Sequence, residues 1–503
     1  MENRPQWGTR VGFIMAAAGS AIGLGNIWRF PGVAYENGGG AFFLPYLFAL
    51  LTAGIPILIL EFAIGHRNRS AAPGSFAKIR RGFEGIGWWQ LIISFVISVY
   101  YAAIIAWALS YTVFSFNLKW GDDTSGFLFG EYLKLADTPG QFGGIVPGVF
   151  IPLIIVWAVA LFILYSGVKK GIEVANKFMI PTLLVLFTIL VIRALTLEGA
   201  AEGLNAFFKP NWDTILNGKV WVAAYSQIFF SLSIGFAIMV TYSSYLKKKS
   251  DITNNAFITG FANSGFELLA GIGVFSILGF MAAQQGVEVN EVVSKGVGLA
   301  FVVFPQIINT LPTLNGLFGF LFFASLVLAG MTSLISIVET YIAGLQEKFG
   351  ISRTKAVLFG GGVTAIVSIM FSSNGGLYFL DVVDYFINNF GVALAGLVEV
   401  IAVAWIAREL GKLQEHANGI SDIKLGLWWK VCLAVITPIV LGYMMIDNLI
   451  TNIRVNYEGY ATWFVTAYGW VVVAAAIVLG FVLPFIKNRT VNARANSSGE
   501  VSQ

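Results

Sequence analysis

The chain has one cysteine and two histidines in 503 residues, and only 12% of its residues are charged. Each shortage excludes something. A lone Cys432 cannot close an internal disulfide, and the redox setting is otherwise illegible. Two histidines are too few for a His-based metal centre, and no nucleophile–base pair stands out, so no enzyme and no organic cofactor are expected. A soluble protein carries roughly 25% charged residues. With 57% hydrophobic residues and a mean hydropathy of +0.77, this chain is not a soluble globule but an integral membrane protein. No A-x-A-like site follows the short polar leader at 1–10, so no signal peptide is expected. The net charge of +4 matters less by its size than by its placement, and no nucleic-acid partner is expected.

What is present is a series of apolar runs long enough to cross a bilayer as helices. About twelve are expected, at 11–35, 41–65, 88–116, 147–166, 173–195, 219–245, 254–283, 314–345, 354–372, 379–407, 426–448 and 461–486. The loops between them sort by charge. One alternating set carries basic clusters such as Arg67 to Arg81, Lys169 to Lys177, Lys247 to Lys249, Lys348 to Lys355 and Arg408 to Lys424. The other set is mostly neutral or acidic, as at 121–123 and 286–313. The positive-inside rule then places both termini in the cytoplasm of a multi-pass protein of the plasma membrane. The long loops at 117–146 and 284–313 fall on the outer side, in position to cover a vestibule.

One run contradicts the interests of a helix. Gly19-Ser-Ala-Ile-Gly-Leu-Gly-Asn26 puts three glycines and an asparagine in the middle of the first span. Each glycine weakens a helix by about 1 kcal/mol relative to alanine, and backbone freed in lipid finds no partner there. Small residues also serve close helix packing. The alternative is a break whose bare N–H and C=O groups line an enclosed binding cavity. Span 6 repeats the pattern at Ser226-Gln-Ile-Phe-Phe-Ser-Leu-Ser-Ile-Gly-Phe-Ala237. Span 6 is the fifth after span 1, an odd offset, so it enters from the opposite side. Paired interruptions of this kind mark inverted repeats. The expected division is an N-terminal segment at 1–10, five-helix repeats at 11–195 and 196–407, two added helices at 408–486, and a disordered cytoplasmic tail at 487–503. The fold class is all-α.

The chain resembles the neurotransmitter:sodium symporter family, in particular its bacterial leucine-transporter-type amino-acid carriers. The resemblance rests on Gly19-Ser-Ala-Ile-Gly-Leu-Gly-Asn-Ile-Trp-Arg-Phe-Pro31, Asn37-Gly-Gly-Gly-Ala-Phe42, Gln227-Ile-Phe-Phe-Ser-Leu-Ser233, Ala329-Gly-Met-Thr-Ser333 and Asp381-Val-Val-Asp384. It covers nearly the whole chain and implies sodium-coupled uptake by alternating access. It also implies two sodium sites. The first would use the Ala21 carbonyl with Asn26, Ser231 and Asn263, completed by the substrate carboxylate. The second would use the carbonyls of Gly19, Ile22 and Ala329 with the hydroxyls of Thr332 and Ser333. Neutral oxygens suit a hard cation that must both bind and leave. Interhelical hydrogen bonding is the ordinary use of such hydroxyls.

The resemblance also implies where a substrate sits. Monoamine members of the family carry an aspartate at the position of Gly23. Glycine leaves a space for a substrate's own carboxylate, beside the N–H groups of Leu24 and Gly25 and the Tyr101 hydroxyl. Carbonyls near Ala21, Phe230 and Ser233 would accept from an ammonium group, with Ser20 and Ser231 near the head group. Ile97, Phe230, Ser233, Phe236, Ser333 and Ile337 would line a mainly apolar side-chain pocket. Arg29 and Asp384, with Gln227, match an outer gate. Arg4 and Glu347, with Trp7, Ser244 and Tyr245, match an inner one, although Glu347 stands where an aspartate is usual. Glu267, beside Tyr46, Gln227 and Ser231, matches a position at which eukaryotic relatives carry a serine and need chloride, so a carboxylate there implies chloride-independence. Glu61, Glu339 and Glu399 also fall within spans, and Glu61 is read as bonding to the freed backbone of span 6.

The expectation is a sodium-coupled importer of neutral, aliphatic L-amino acids, working as a monomer or weak homodimer in a bacterial inner membrane. Two other readings remain open: a related sodium-coupled carrier for another small solute, and a sensor that binds without transporting.

Overall fold

Apolar stretches of this length become helices because lipid offers the backbone no other partners. The computed structural model describes residues 5–294 and 296–486, and it bears out the all-α class. Among the described residues ten helices are long and apolar enough to cross a membrane. They are span 2 (Gly40–Asn68), span 3 (Arg81–Phe114), span 4 (Pro147–Tyr165), span 5 (Val168–Leu195), span 7 (Ile252–Gln285), span 8 (Asn315–Phe349), span 9 (Arg353–Ser372), span 10 (Gly376–Ile406), span 11 (Leu427–Gly459) and span 12 (Thr462–Phe485). Span 1 is a bent pair, Arg10–Ala21 and Leu24–Glu36, with 55° between its halves. Span 6 is divided more widely, into Gly218–Ser231 and Ile238–Ser244. The two divided spans complete the expected twelve among the described residues. Arg4 and the tail at 487–503 lie outside them.

Most ends fall within a few residues of expectation. Spans 3, 8 and 11 overrun it, because polar residues such as Glu84, Gln346 and Asn452 continue helices past the apolar stretch. Several short helices were not foreseen in the connections, notably Ala72–Ile79, Ala200–Phe208 and Leu410–Ile420.

Burial separates a centre from a periphery. The most apolar windows of spans 3, 7 and 8 are 78% buried, those of spans 5 and 9 only 33% and that of span 12 only 28%. Spans 3 and 8 pack together along their length; both halves of span 1 and the second half of span 6 lie against span 8, and the first half of span 6 packs on span 2. The outer spans keep large side chains exposed, among them Phe162, Phe178, Phe359 and Ile439. Lipid is their natural neighbour. The two long loops join each other, through Trp120 Nε1 to Asn309 Oδ1 at 2.8 Å and Thr124 Oγ1 to the Val302 carbonyl at 3.0 Å.

Candidate functional site

The break in span 1 falls at Ile22–Gly23, inside the glycine-rich run. Ile22 N–H still donates to the Ala18 carbonyl at 2.7 Å, closing the first half. Asn26 Oδ1 then accepts from Gly23 N–H at 3.0 Å, so the second half carries its own cap. Leu24 N–H donates to the Tyr101 hydroxyl at 3.3 Å. A Cβ on Gly23 would stand 3.1 Å from both the Tyr101 hydroxyl and the Ser333 hydroxyl, and 4.0 Å from the Ala21 carbonyl. The missing side chain therefore opens a small space walled by hydroxyls and backbone polar groups.

The break in span 6 covers 232–237. Ser233, Gly235 and Ala237 all adopt positive φ, at 53°, 80° and 63°. For the two non-glycine residues this conformation is costly, of order 1–3 kcal/mol each, and it persists because neighbours hold it. Ser233 Oγ donates to the Ser20 carbonyl at 2.8 Å, tying one break to the other. Ser94 Oγ donates to the Phe236 carbonyl at 2.8 Å. Glu61 Oε1 accepts from Gly235 N–H at 2.8 Å, the contact the sequence reading expects of it. The Phe230 ring packs against Gly25, and the Arg29 guanidinium lies 4.4 Å from its centre. Ile97, Phe236 and Ile337 are buried on the surrounding elements.

The structure brings most of the implied ligands of each set together; no contact places the Ala21 or Ile22 carbonyl among them. Asn26 Nδ2 donates to Asn263 Oδ1 at 2.8 Å, and Asn263 Nδ2 to Ser231 Oγ at 3.0 Å, all three buried. Ser333 Oγ lies 3.4 Å from the Gly19 carbonyl and 3.2 Å from the Ala329 carbonyl, which also accepts from Thr332 Oγ1 at 2.9 Å. Both sets are neutral oxygens, the donor type that sodium accepts as transported cargo. Among the described residues no group of three or more His, Cys, Asp or Glu side chains is placed to hold a metal.

Glu267 receives the Tyr46 hydroxyl and, at 2.6 Å, Gln227 Nε2. Ser231 also bonds to it, so this carboxylate touches a residue of the first ligand set.

The outer gate pair is not bridged directly. Arg29 and Asp384 form no salt bridge within 4.0 Å. Asp384 Oδ1 instead accepts from Tyr100 at 2.6 Å and Asn388 at 2.9 Å. Asp384 and Glu267 are nevertheless the charges that face Arg29. At the other end, Trp7 Nε1 donates to the Tyr242 carbonyl at 2.8 Å and Trp7 N–H to the Tyr245 carbonyl at 3.2 Å. Ser244 Oγ donates to the Thr241 carbonyl at 2.5 Å. Glu347 accepts from Ala71 N–H at 2.9 Å.

A network the sequence reading missed reinforces that end. Arg353 forks onto Glu339 at 3.1 and 2.7 Å, and the Tyr245 hydroxyl adds a bond at 2.9 Å. The available signal was a glutamate within span 8 and an arginine just past Gly350, where the chain turns back with φ at 62°.

Comparison with known proteins agrees with this geometry. The model described as the sodium:neurotransmitter symporter family matches residues 4–129 and 121–490. The chain is 42% identical over 484 residues to an uncharacterized sodium-dependent transporter of Methanocaldococcus jannaschii, covering 96% of this chain and 98% of that one. It is 32% identical over 519 residues to the sodium- and chloride-dependent GABA transporter 2 of Homo sapiens, covering 94% and 85%. It is 31% identical over 526 residues to the sodium- and chloride-dependent taurine transporter of Bos taurus, covering 94% and 83%. The protein belongs to the sodium:neurotransmitter symporter family of multi-pass membrane transporters.

Proposed function

We propose that the protein imports a neutral, aliphatic L-amino acid with two sodium ions per cycle and without chloride. The observation that carries the reading is the space at Gly23, which is bounded by the Tyr101 and Ser333 hydroxyls and the Leu24 N–H. A carboxylate fits such donors, and it would lie beside the Asn26, Asn263 and Ser231 oxygens of the first sodium site. An ammonium group finds acceptors in the carbonyls of the two breaks. A charged side chain would be desolvated beside Phe230, Phe236 and Ile337, at large cost. The second sodium would be held by Gly19, Ile22, Ala329, Thr332 and Ser333. Each positive charge carried inward gains about 2.3 kcal/mol per 100 mV.

Chloride-independence rests on Glu267, a fixed negative group beside Tyr46, Gln227 and Ser231. The two mammalian relatives are named as chloride-dependent, so this is where the chain would depart from them. Both termini would face the cytoplasm, with the Arg4–Glu347 and Arg29–Asp384 regions as inner and outer gates, in a monomer or weak homodimer.

The test is uptake of labelled alanine into vesicles holding the purified protein, driven by an inward sodium gradient. Uptake should survive replacement of chloride by gluconate, and Glu267→Ser should make it chloride-dependent. Unlabelled leucine and methionine should compete, whereas aspartate and lysine should not. Competition by GABA or taurine, the solutes named for the relatives, in place of aliphatic amino acids would move the substrate to another class. A parent protein that stops without chloride would refute the role of Glu267. Sodium-dependent binding with no uptake would favour a sensor.

A further inference from the structure

Behind the second break lies a set of buried acceptors that the sodium and substrate sites do not use. Glu61 of span 2, Gln90 of span 3 and Glu399 of span 10 are all completely buried. Gly235 N–H reaches one oxygen of Glu61 at 2.8 Å, and Gln90 Nε2 reaches one oxygen of Glu399 at 2.6 Å. The remaining oxygens, Glu61 Oε2, Glu399 Oε1 and Gln90 Oε1, have no partner. The groups share one place. A Cβ on Gly235 would touch span 10 at the Val392 carbonyl, 3.0 Å away, and at Gly396 N, 3.4 Å away. Glu399 follows on that helix one turn later, and its charge is the one that acts on Glu61. Spans 2, 3 and 10 and the 232–237 segment pack around the place, and Glu61 and Glu399 are the titratable groups that face each other across it. No lysine, arginine or histidine among the described residues bonds to either carboxyl.

Three unpartnered acceptors make an incomplete arrangement. Two carboxylates sharing a dry site cannot both be ionised, because each charge lacks water and repels the other. We propose that Glu61 and Glu399 form a proton-binding site, holding one proton between them here and taking up a second when Gly235 N–H leaves Glu61. The Gly235 N–H supports the ionised form of Glu61 only while it points there. When the 232–237 segment shifts, that support goes. A proton from water then converts the carboxylate to the acid, and no other covalent bond changes. Because linkage is reciprocal, the shape of the second break and the proton content of the pair set each other. The pair is separate from Glu267, which bonds to Ser231 of the first ligand set. It would hold its proton whether or not the protein transports anything.

Infrared spectroscopy of the full protein in lipid at pH 7 reads the acid carbonyl stretch directly. The spectrum of the parent minus that of Glu61→Gln/Glu399→Gln should show one acid carbonyl lost, and Glu267→Gln should leave that component in place. An unchanged acid region in the double variant would overturn the proposal. Should the double variant fail to fold, Gln90→Leu keeps both carboxyls and removes the donor on Glu399. It should move the same band, and an unmoved band would refute the site. Ser94→Ala frees the Phe236 carbonyl and loosens the segment. The band should then grow, to twice its intensity at most, and no growth would overturn the link to Gly235.

Discussion

The two breaks solve the same problem by opposite means. The one in span 1 is short, and the chain supplies its own closure: Asn26, three residues on, accepts from Gly23 N–H. The one in span 6 runs over 232–237, carries three residues at positive φ, and is held by Glu61, Ser94 and Ser20 from other elements. A break capped within its own helix leans less on its neighbours. A break held from outside keeps its shape only while its neighbours stay put, which makes span 6 the more adjustable half of the site.

That contrast fails if the outside anchors prove dispensable. Glu61→Ala leaves the buried Gly235 N–H unpaired, a cost of about 1–3 kcal/mol. Since about 1.4 kcal/mol is tenfold, sodium-dependent binding of labelled alanine should fall by about one to two orders of magnitude. Binding within twofold of the parent would mean that the segment holds itself. Asn26→Ala tests the self-capped break. It removes both the Gly23 cap and the bond to Asn263, so apparent sodium affinity should drop about tenfold, for the same kind of loss at a less dependent site. Circular dichroism should report an intact helical fold, and unchanged sodium dependence would remove Asn26 from the ligand set.

A smaller effect sharpens the view of the space at the first break. Gly23→Ala places a methyl group 3.1 Å from two hydroxyls, closer than ordinary contact. Overpacking of this kind costs about 1–3 kcal/mol, and side chains that give way should keep the loss near the lower end. A several-fold weaker alanine affinity with unaltered sodium affinity is expected in equilibrium binding. Tighter binding would place the carboxylate elsewhere.

The smallest effect lies outside both breaks. The only two histidines meet, His66 Nδ1 to His416 Nε2 at 2.9 Å, while His66 Nε2 faces the Lys247 carbonyl at 2.8 Å. The carbonyl assigns the proton of His66 to Nε2, so Nδ1 accepts from His416. Burial, then the neighbouring charges of His66 and Arg67, push His416 down to about 4. The unfolded chain, with a histidine near 6.5, therefore binds this proton first, and stability falls as pH drops from about 6.5 toward 4. The melting temperature should decline modestly over that range, and His416→Gln should flatten the decline. An identical slope in the variant would show that the contact does not report pH.

Much of the membrane architecture was legible because its cause is local. A helix in lipid must be apolar over its own length, and span limits follow from that. Both breaks were legible for the same reason, since Gly19, Gly23, Gly25 and Gly235 violate a local rule. What stayed hidden depends on residues far apart. Arg353 with Glu339, and His66 with His416, meet only after the chain has folded back. The bond from the Tyr100 hydroxyl to Asp384, across 284 residues, is likewise recorded by no motif.

The hydrogen bond from Ser233 to the Ser20 carbonyl has a consequence for biosynthesis. Its partners are separated by 213 residues, and Ser333, which lies by the same carbonyl, by 313. At about 5–20 residues per second, span 1 leaves the ribosome tens of seconds before either hydroxyl exists. Its exposed middle is thus a polar defect in lipid during that interval. The first span of this protein is expected to linger at the insertion machinery, or in the company of its earliest neighbours, until the second half of the chain arrives to complete it.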